Sequence, residues 1–594
     1  MAKIFPKLLA FLPWFLWLAV TSDAAPAQTV RASESRRFTP PKDGKRLKFR
    51  IGSRSADTAE ILRLVREYSA DEVMMGSGTQ FVSYADFPKV AQPIDKTALE
   101  AFRRSLQALR AEGVMLRLSF GREPSVPGEP VASGETARAQ TRPYFFDAYP
   151  EARNVSTGLL WKLLESKTAE LLRNLPEVES AMSYTWETPM VMDTGYFKDV
   201  FWADTSKTLH AVNLGPHKYY SDADYLTQSL AALARGAKAA GKEYHFFTFA
   251  HYPWQERLNI RAIQQVDRDL PLKLYHFVNA GDWNPYFPNN HVMMEILDRE
   301  STVAFDSVGE YWGQAQVPFC YPEEIQQRLV QALERNGNIT TISTGTHWAG
   351  FSVFGTPNEV NFYAVSRLAR DPYLSVERIW YEWAESQFGK QAAPRVISAL
   401  KRTDEIGKLT FFFHGTSITE HSHIANLDYL EGEPLHLAQA AADWCPDFRT
   451  QFLMKEYIER PSEDLVALAV QDRQEALRLN QLSIDDVESV KSALRPEQHT
   501  LLMRQLNLQR HFIETTIPYV EAFYRYRLQK RAPSRENRQK IEEALSVLEA
   551  KAAAVERVYK EEAGILTGKE IRRFIGQMRT ALAAMPRAGA TSSN

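Results

Sequence analysis

The chain has 594 residues, of which 44% are hydrophobic and 24% charged, with 71 Lys and Arg against 73 Asp and Glu. This composition excludes a disordered chain, a collagen-like fibre and a small disulfide-stapled protein. The net charge of −2 argues against nucleic acid as a partner, because binding phosphates requires a basic surface. Aromatic residues are abundant, with 12 Trp, 24 Tyr and 32 Phe.

Residues 1–27 have the pattern of a secretory signal peptide. Lys3 and Lys7 give a positive start, residues 8–20 are almost wholly apolar, and Ala25-Pro26-Ala27 offers an A-x-A cleavage site. The apolar run is shorter than the ~20 residues that a membrane-spanning helix needs. We therefore expect a secreted or periplasmic protein with no membrane insertion after cleavage, in which residues 28–45 form a short N-terminal lead segment.

Between residues 46 and 350, short β-like runs alternate with amphipathic helices. Thr97 and Glu100 predict a capping box at the start of one helix, and Gly113 marks its end. Eight strand–helix units predict an α/β fold, a (β/α)8 TIM barrel. An open doubly wound sheet is the alternative, but the G-x-G-x-x-G turn that normally follows its first strand is absent. The eight predicted strands are residues 48–52, 71–76, 114–120, 180–186, 244–250, 272–278, 302–307 and 339–344.

Strand-like patterns end near residue 350, so residues 351–594 are predicted to be an all-helical C-terminal region. Its clearest helix is 535–562, where apolar residues recur at steps of four and three. Such a seam packs on its own domain or pairs two copies of the chain, and a homodimer through these helices is one expectation. Cys320 and Cys445 allow at most one disulfide, and two buried free thiols are the favoured state.

Three acidic residues follow predicted strands, at the end of the barrel where reactive groups gather. They are Glu187 after the fourth strand, Asp282 after the sixth and Glu310 after the seventh. Cleavage of a glycosidic bond uses such carboxyl groups: one protonates the departing oxygen, and another activates water or attacks the anomeric carbon. The alternative for any one of them is an ordinary solvated carboxylate.

Aromatic and histidine side chains adjoin these acids, and an aromatic face can hold the C–H face of a pyranose ring. The predicted substrate-binding residues are Trp186, His251, Trp254, Trp283, Tyr311, Trp312, His347 and Trp348. The alternative is that the tryptophans are core residues. His421 and His423 have a spacing that can ligate metal, but no carboxylate partner in a known scaffold accompanies them. We expect neither a metal nor a cofactor, and a carbohydrate as the partner.

Two segments resemble glycoside hydrolase family 67, the α-glucuronidases. Residues 361–375 (NFYAVSRLARDPYLS) resemble that family's N-x-Y-A-F-G-R-L-A-W-x-P-x-L-S helix after the barrel, and residues 309–314 (GEYWGQ) resemble its Q-E-Y-L-G-Q. The resemblance implies that Glu310 and Asp282, which have the family's spacing, activate water. It also implies that Glu187, matched by position, is the general acid, and that the anomeric configuration is inverted.

The positions that hold the glucuronate carboxylate in that family differ here. Ser183 stands where the family has Lys, and Phe247 or Thr248 stands where it has Arg, so the charge-assisted contacts are lost. The prediction is a glycoside hydrolase that removes a terminal or side-chain sugar through a rebuilt pocket. The alternatives are an α-glucuronidase proper, a non-catalytic carbohydrate-binding relative, a metal-dependent hydrolase that uses the histidines, and a polysaccharide lyase.

Overall fold

The structure is a computed structural model that describes most of the chain from residue 46 onward. The described residues are 46–53, 57–76, 78–123, 125–128, 143–184, 222–250, 252–413, 415–432, 442–444, 448–559 and 564–585. The predicted signal peptide, the lead segment, Trp186, Glu187, His251 and Cys445 lie outside these residues.

Eight parallel strands close into a barrel in chain order, which confirms the predicted fold. Each predicted strand overlaps an observed one, and closure is made by pairing of the first strand with the eighth, from Lys48 opposite Thr341 to Gly52 opposite Gly345. The strands are β1 (Lys48–Ser53), β2 (Glu72–Met75), β3 (Met115–Arg122), β4 (Ser180–Tyr184), β5 (Glu243–Phe247), β6 (Leu272–Phe277), β7 (Ser301–Phe305) and β8 (Ile339–Gly345).

Helices connect and cover the strands. They are α1 (Thr58–Tyr68), α2 (Lys96–Ala111), α3 (Phe145–Ala148), α4 (Leu159–Asn174), α5 (Asp222–Ala239), α6 (Pro253–Gln265), α7 (His291–Glu295), α8 (Pro322–Arg335) and α9 (Glu359–Arg370). Helix α9 packs on β8 and β1, and the Leu47 N–H donates to the Ala369 carbonyl at 2.9 Å. The helix that covers the closing strands therefore lies beyond residue 350.

The start of α2 differs from the sequence prediction. The N-cap is Asp95, whose carboxylate accepts from the Ala98 N–H at 3.0 Å. Thr97 lies inside the helix, so the predicted Thr97–Glu100 capping box was wrong by two residues. Asp is as good an N-cap as Ser or Thr, because its side-chain oxygen satisfies the same unpaired N–H groups. Gly113, with φ +82°, follows the end of this helix as expected.

The C-terminal region is mainly helical, as predicted. Its helices are α10 (Val376–Phe388), α11 (Ala393–Lys401), α12 (Thr403–Phe411), α13 (Leu427–Glu431), α14 (Phe448–Glu459), α15 (Glu463–Ser489), α16 (Pro496–Arg531), α17 (Arg535–Tyr559) and α18 (Gly568–Ala584). Six two-residue strands form three antiparallel pairs: β9 (His347–Trp348) with β10 (Phe351–Ser352), β11 (Phe412–Phe413) with β12 (Thr416–Ser417), and β13 (Thr419–Glu420) with β14 (His423–Ile424). The second and third pairs interrupt the helical region.

The apolar seam of α17 is buried within the chain. Ile541, Leu545 and Leu548 are fully buried, and α17 packs on α16 and α18. One hydrophobic core runs from the barrel strands into these helices. The seam is therefore occupied by this chain's own helices, and a homodimer stays a prediction.

Among the described residues, none of the helices combines the length and hydropathy needed to cross a bilayer.

Candidate active site

Asp282 and Glu310 lie in the loops that follow β6 and β7, at the C-terminal end of the barrel. Tyr311, the residue after Glu310, turns back to Asp282 and donates its hydroxyl proton to Oδ2 at 2.5 Å. Asp282 is half-buried, and Glu310 is 6% exposed. The two loops thus form one carboxyl cluster, with Tyr311 as the link.

The backbone of the β7 loop is held by Asp306. Its carboxylate accepts hydrogen bonds from the N–H groups of Val308, Gly309 and Glu310, at 3.1, 2.9 and 2.6 Å. An Asp side chain that bonds its own following backbone favours a tight turn. Gly309 has φ +85° and Gly313 has φ +105°, which explains the glycines in this segment. The turn therefore determines the position of the Glu310 backbone, from which the side chain extends.

A third member of the cluster comes from the C-terminal region. The Nδ1 atom of His421 lies 2.9 Å from Oε1 of Glu310, and its ring stacks on Tyr311 with centroids 5.4 Å apart. The sequence pattern suggested only a metal-binding role for His421. No local signal could have paired it with Glu310, since 111 residues separate the two.

His421 is held by a set of hydrogen bonds between its own turn and the β7 loop. Ser422 Oγ donates to the Glu310 carbonyl at 2.7 Å and accepts from the Gly313 N–H at 2.8 Å. Gln314 Nε2 donates to the His421 carbonyl at 2.6 Å. Six non-glycine residues in these loops have left-handed backbone angles: Asp282 (57°), Trp283 (66°), Gln314 (50°), Ala315 (57°), His421 (45°) and Ser422 (70°). Such strain persists where the surrounding structure enforces it, and it concentrates at functional sites.

The electrostatics favour a proton on this cluster near neutral pH. Burial, and next the charge of Asp282, raise the pKa of Glu310 to about 8, although His421 opposes the rise. For His421, burial acts against its charge, but the hydrogen bond and charge of Glu310 raise its pKa to about 9. Burial and Asp282 hold the pKa of Tyr311 well above its ordinary value, so Tyr311 remains a donor. Perturbed groups of this kind are typical of acid–base sites.

The predicted aromatic residues divide into rim and core positions. Tyr311, Trp254 and Trp348 are half-buried, and Trp348 lies 6.3 Å from the His421 ring. Trp312 is only 2% exposed and packs on Phe319 at 4.1 Å. Trp312 therefore packs in the core of this structure, and its role in substrate binding stays a prediction.

Two further predicted binding residues have neighbours in the protein itself. Trp283 is 6% exposed, and its ring lies 3.7 Å from Phe277 between centroids. His347 bonds Thr346 Oγ1 through Nδ1 at 2.8 Å, and its Nε2 is 3.6 Å from Glu60 on α1. Trp283 thus packs against Phe277 and His347 is directed toward α1, and the substrate-binding roles of both stay predictions.

The positions expected to bind a uronate are apolar or already bonded. Ser183 Oγ lies 2.6 Å from the Tyr244 hydroxyl and is fully buried. Phe247 packs against Phe277 at 4.5 Å and Tyr275 at 5.1 Å. Neither residue can pair with a carboxylate, which agrees with the interpretation of the sequence.

A cavity of about 510 Å³ extends from the cluster toward the C-terminal region. Gln314, Trp348 and His421 line it, together with Glu570 and Arg573 of α18. His423, next to this cavity, bonds Glu570 through Nδ1 at 3.1 Å. His421 and His423 thus have different carboxylate partners, and the part of the chain that the structure describes contains no group of three potential metal ligands.

Removing the charge of His421 is expected to move the acid limb of the kcat/KM profile to higher pH. Because His421 lowers the pKa of Glu310, His421→Asn should raise that pKa and reduce activity at pH 7 by roughly tenfold. Asn tolerates the left-handed backbone and keeps a neutral donor. His499→Asn, which alters a distant histidine 3.2 Å from Glu488, is the control. An unchanged acid limb in His421→Asn would contradict this role.

The comparisons with known proteins found similar structures but no match by sequence. No protein-family model matches the chain, and no curated protein matches it. A similar solved structure is a GH138 enzyme targeting pectin rhamnogalacturonan II. It is 12% identical with a TM-score of 0.55, over 93% of this chain and 85% of that chain.

Two further structures are similar at lower scores. One is a family GH115 4-O-methyl-α-glucuronidase with specificity for decorated arabinogalactans; its TM-score is 0.39 at 10% identity, over 92% of this chain and 63% of that chain. The other is a family 1 β-glucosidase from Thermotoga maritima, with a TM-score of 0.29 at 8% identity, over 53% of this chain and 87% of that chain. The likeness to the GH138 enzyme establishes a shared fold, a barrel followed by a helical region.

Proposed function

We propose that this protein is a secreted glycoside hydrolase that removes a terminal or side-chain sugar from a polysaccharide or oligosaccharide, with inversion. The observation that carries the proposal is the cluster of Asp282, Tyr311, Glu310 and His421 at the C-terminal end of the barrel. Two carboxyl groups beside Tyr311, which keeps its hydroxyl proton, provide the chemistry of sugar cleavage. They lie next to a cavity that has Trp348 in its wall. The GH138 neighbour, which has the same fold, targets a polysaccharide.

In this proposal the carboxyl pair acts on water. Asp282, held by the Tyr311 hydroxyl, orients the water molecule, and ionised Glu310 accepts its proton as the water oxygen attacks the anomeric carbon. His421 stabilises the ionised form of Glu310. Glu187, assigned from the sequence alone, donates a proton to the departing oxygen. Neutralisation of the leaving group is required because an alkoxide is a poor leaving group at neutral pH.

The sugar at the scissile bond is proposed to be uncharged. Ser183 and Phe247 provide no cation for a carboxylate, and Phe247, Phe249 and Phe277 form an aromatic cluster with Phe247 at its centre. A neutral pyranose needs no such cation, whereas a uronate would leave its carboxylate without a charge-assisted partner. A glucuronide as the best substrate would contradict this part of the proposal and favour an α-glucuronidase proper.

A substrate screen with NMR tests the proposal. Aryl glycosides and pectin-derived oligosaccharides should include one that is hydrolysed, and the first anomer released should have the configuration opposite to the substrate. Release of the same anomer would contradict inversion.

Undiminished turnover after treatment with a chelator would exclude the metal-dependent hydrolase. Absence of turnover on every glycan would favour a non-catalytic carbohydrate-binding relative.

The role of Glu187 can be tested by comparing leaving groups. Glu187→Gln should lower kcat/KM by about 10²–10⁴-fold on a sugar–sugar bond, because the departing alkoxide needs a proton. It should lower kcat/KM much less on a dinitrophenyl glycoside, whose leaving group is stable as an anion. Equal losses on the two substrates, with folding intact by circular dichroism, would contradict a general-acid role.

A further inference from the structure

We infer that the cavity between the β9–β10 pair and α18 is a second sugar subsite, which binds a neutral pyranose next to the scissile sugar. The inference rests on the proposed function, since it concerns the part of the substrate that is not cleaved. It adds a substrate class: an oligosaccharide in which the neighbouring unit carries no carboxylate.

The cavity adjoins the carboxyl cluster through His421. His421 and Gln314, which belong to the hydrogen-bonded turn around Glu310, also line the cavity. Trp348 of β9 forms part of the wall, and Glu570 and Arg573 of α18 line it as well. Its volume, about 510 Å³, falls within the range of small-molecule sites, roughly 300–1,000 Å³.

Two residues that line this cavity each have a buried acceptor atom without a hydrogen-bond partner. Gln314 is 1% exposed, and its Oε1 atom is buried without a hydrogen bond; the same holds for Oε2 of Glu570. A buried acceptor left without a donor is costly, so such atoms indicate an absent donor group. Sugar hydroxyl groups are donors of the required kind.

Arg573 is the cation of this cavity. It is exposed, and no ion pair joins it to another residue within the described ranges. Its neighbour Arg572, on the same helix, instead bonds Glu556 at 2.7 Å. A guanidinium offers several parallel N–H donors, which suits two adjacent sugar oxygens.

The charges around the cavity favour a neutral ligand. Glu420 and Glu570 line it together with Arg573, while the charge of His421 is balanced by Glu310. A uronate would bring a third carboxylate beside two others, and like charges at this distance repel. A neutral pyranose instead supplies hydroxyl donors to the carboxylates, accepts from Arg573, and stacks on Trp348.

The experiment compares substrates that do and do not fill the cavity. The substrates are the aryl monosaccharide from the screen, a trisaccharide that carries the same sugar on a neutral disaccharide, and its analogue with a uronate in the second position. Arg573→Ala and Trp348→Ala should each lower kcat/KM on the neutral trisaccharide by tenfold or more. For Arg573→Ala, kcat/KM on the aryl monosaccharide should stay within twofold of the wild type. Arg572→Ala removes an equal charge from the same helix and should change neither value.

Three results would overturn the subsite. One is an equal loss on the aryl monosaccharide and the trisaccharide, since it would indicate a structural role. Another is no loss on either substrate. The third is a loss confined to the uronate analogue, since it would assign Arg573 to an anionic sugar.

A binding measurement separates the subsite from the proposed function. Saturation-transfer NMR with xylotriose, galactotriose and arabinotriose, at matched protein concentration, should detect contact with at least one, and Arg573→Ala should abolish it. Contact without turnover of any glycan would overturn the proposed function and support the subsite. Contact with none of the three by the wild type would overturn the subsite, even where hydrolysis of an aryl glycoside supports the proposed function.

Discussion

Glu310→Gln is expected to lower kcat/KM by about 10³-fold or more, because an amide cannot accept the proton of the attacking water. Gln has the size and shape of Glu, so the contact with His421 and the turn made by Asp306 are retained. The measurement is steady-state kinetics on the substrate from the screen. Glu334→Gln, which changes an exposed residue of α8, is the matched control and should leave activity within twofold.

The thermal stability of Glu310→Gln distinguishes a catalytic role of Glu310 from a structural one. The pKa of Glu310 is raised in the folded protein, so this group binds its proton more tightly in the folded state, and its contribution to stability falls as pH rises from about 4.5 toward 8. Glu310→Gln removes this unfavourable ionisation, so Tm at pH 8 should be unchanged or higher. Lower activity together with a lower Tm would contradict a catalytic role, as would activity within tenfold of the wild type.

Glu72→Gln is expected to lower the free energy of unfolding by about 3–5 kcal/mol, because it leaves buried Arg50 without a carboxylate and Arg117 with Glu243 alone. Glu72 lies at the opposite end of the barrel from the site, where Arg50 bonds Oε2 at 2.6 Å and Arg117 bonds Oε1 at 3.0 Å. All three side chains are at most 4% exposed. Urea denaturation at pH 7 measures the loss.

The pH dependence gives this prediction a second test. Although burial opposes ionisation, Arg50 and Arg117 hold the pKa of Glu72 well below its ordinary value of 4.5. The stabilisation is therefore present above pH 4.5 and is lost as the pH falls further, so the difference between wild type and variant should shrink in acid. Glu67→Gln, which removes an exposed pair with Arg63 at 2.5 Å, should cost less than about 0.5 kcal/mol. A loss for Glu72→Gln no larger than this control's would contradict the structural account.

The barrel and the helical region could be predicted from the sequence because both depend on local patterns. A strand buried on both faces is a short apolar run, and an amphipathic helix repeats at three and four residues, so each element is visible within its own segment. The ends of the helices and of the barrel domain were harder to predict. Asp95 rather than Thr97 caps α2, and α9 covers the barrel although it follows residue 350. Several side chains can cap a helix, and a covering helix resembles any other amphipathic helix.

The positions of Asp282 and Glu310 at strand ends followed from the chain order, since the parallel strands of a barrel all end on one side. Their linkage through Tyr311, the approach of His421, the burial of Trp312 and the cavity beside α18 were decided only by the tertiary structure. Glu310 and His421 are 111 residues apart, and no periodic pattern in the sequence reveals a contact between residues so far apart. The sequence by itself determined which residue types stand at the ends of the strands. The packing of the C-terminal region on the barrel brings His421 and Ser422 against Glu310, and burial is the main cause of the raised pKa of Glu310 and hence of its chemistry.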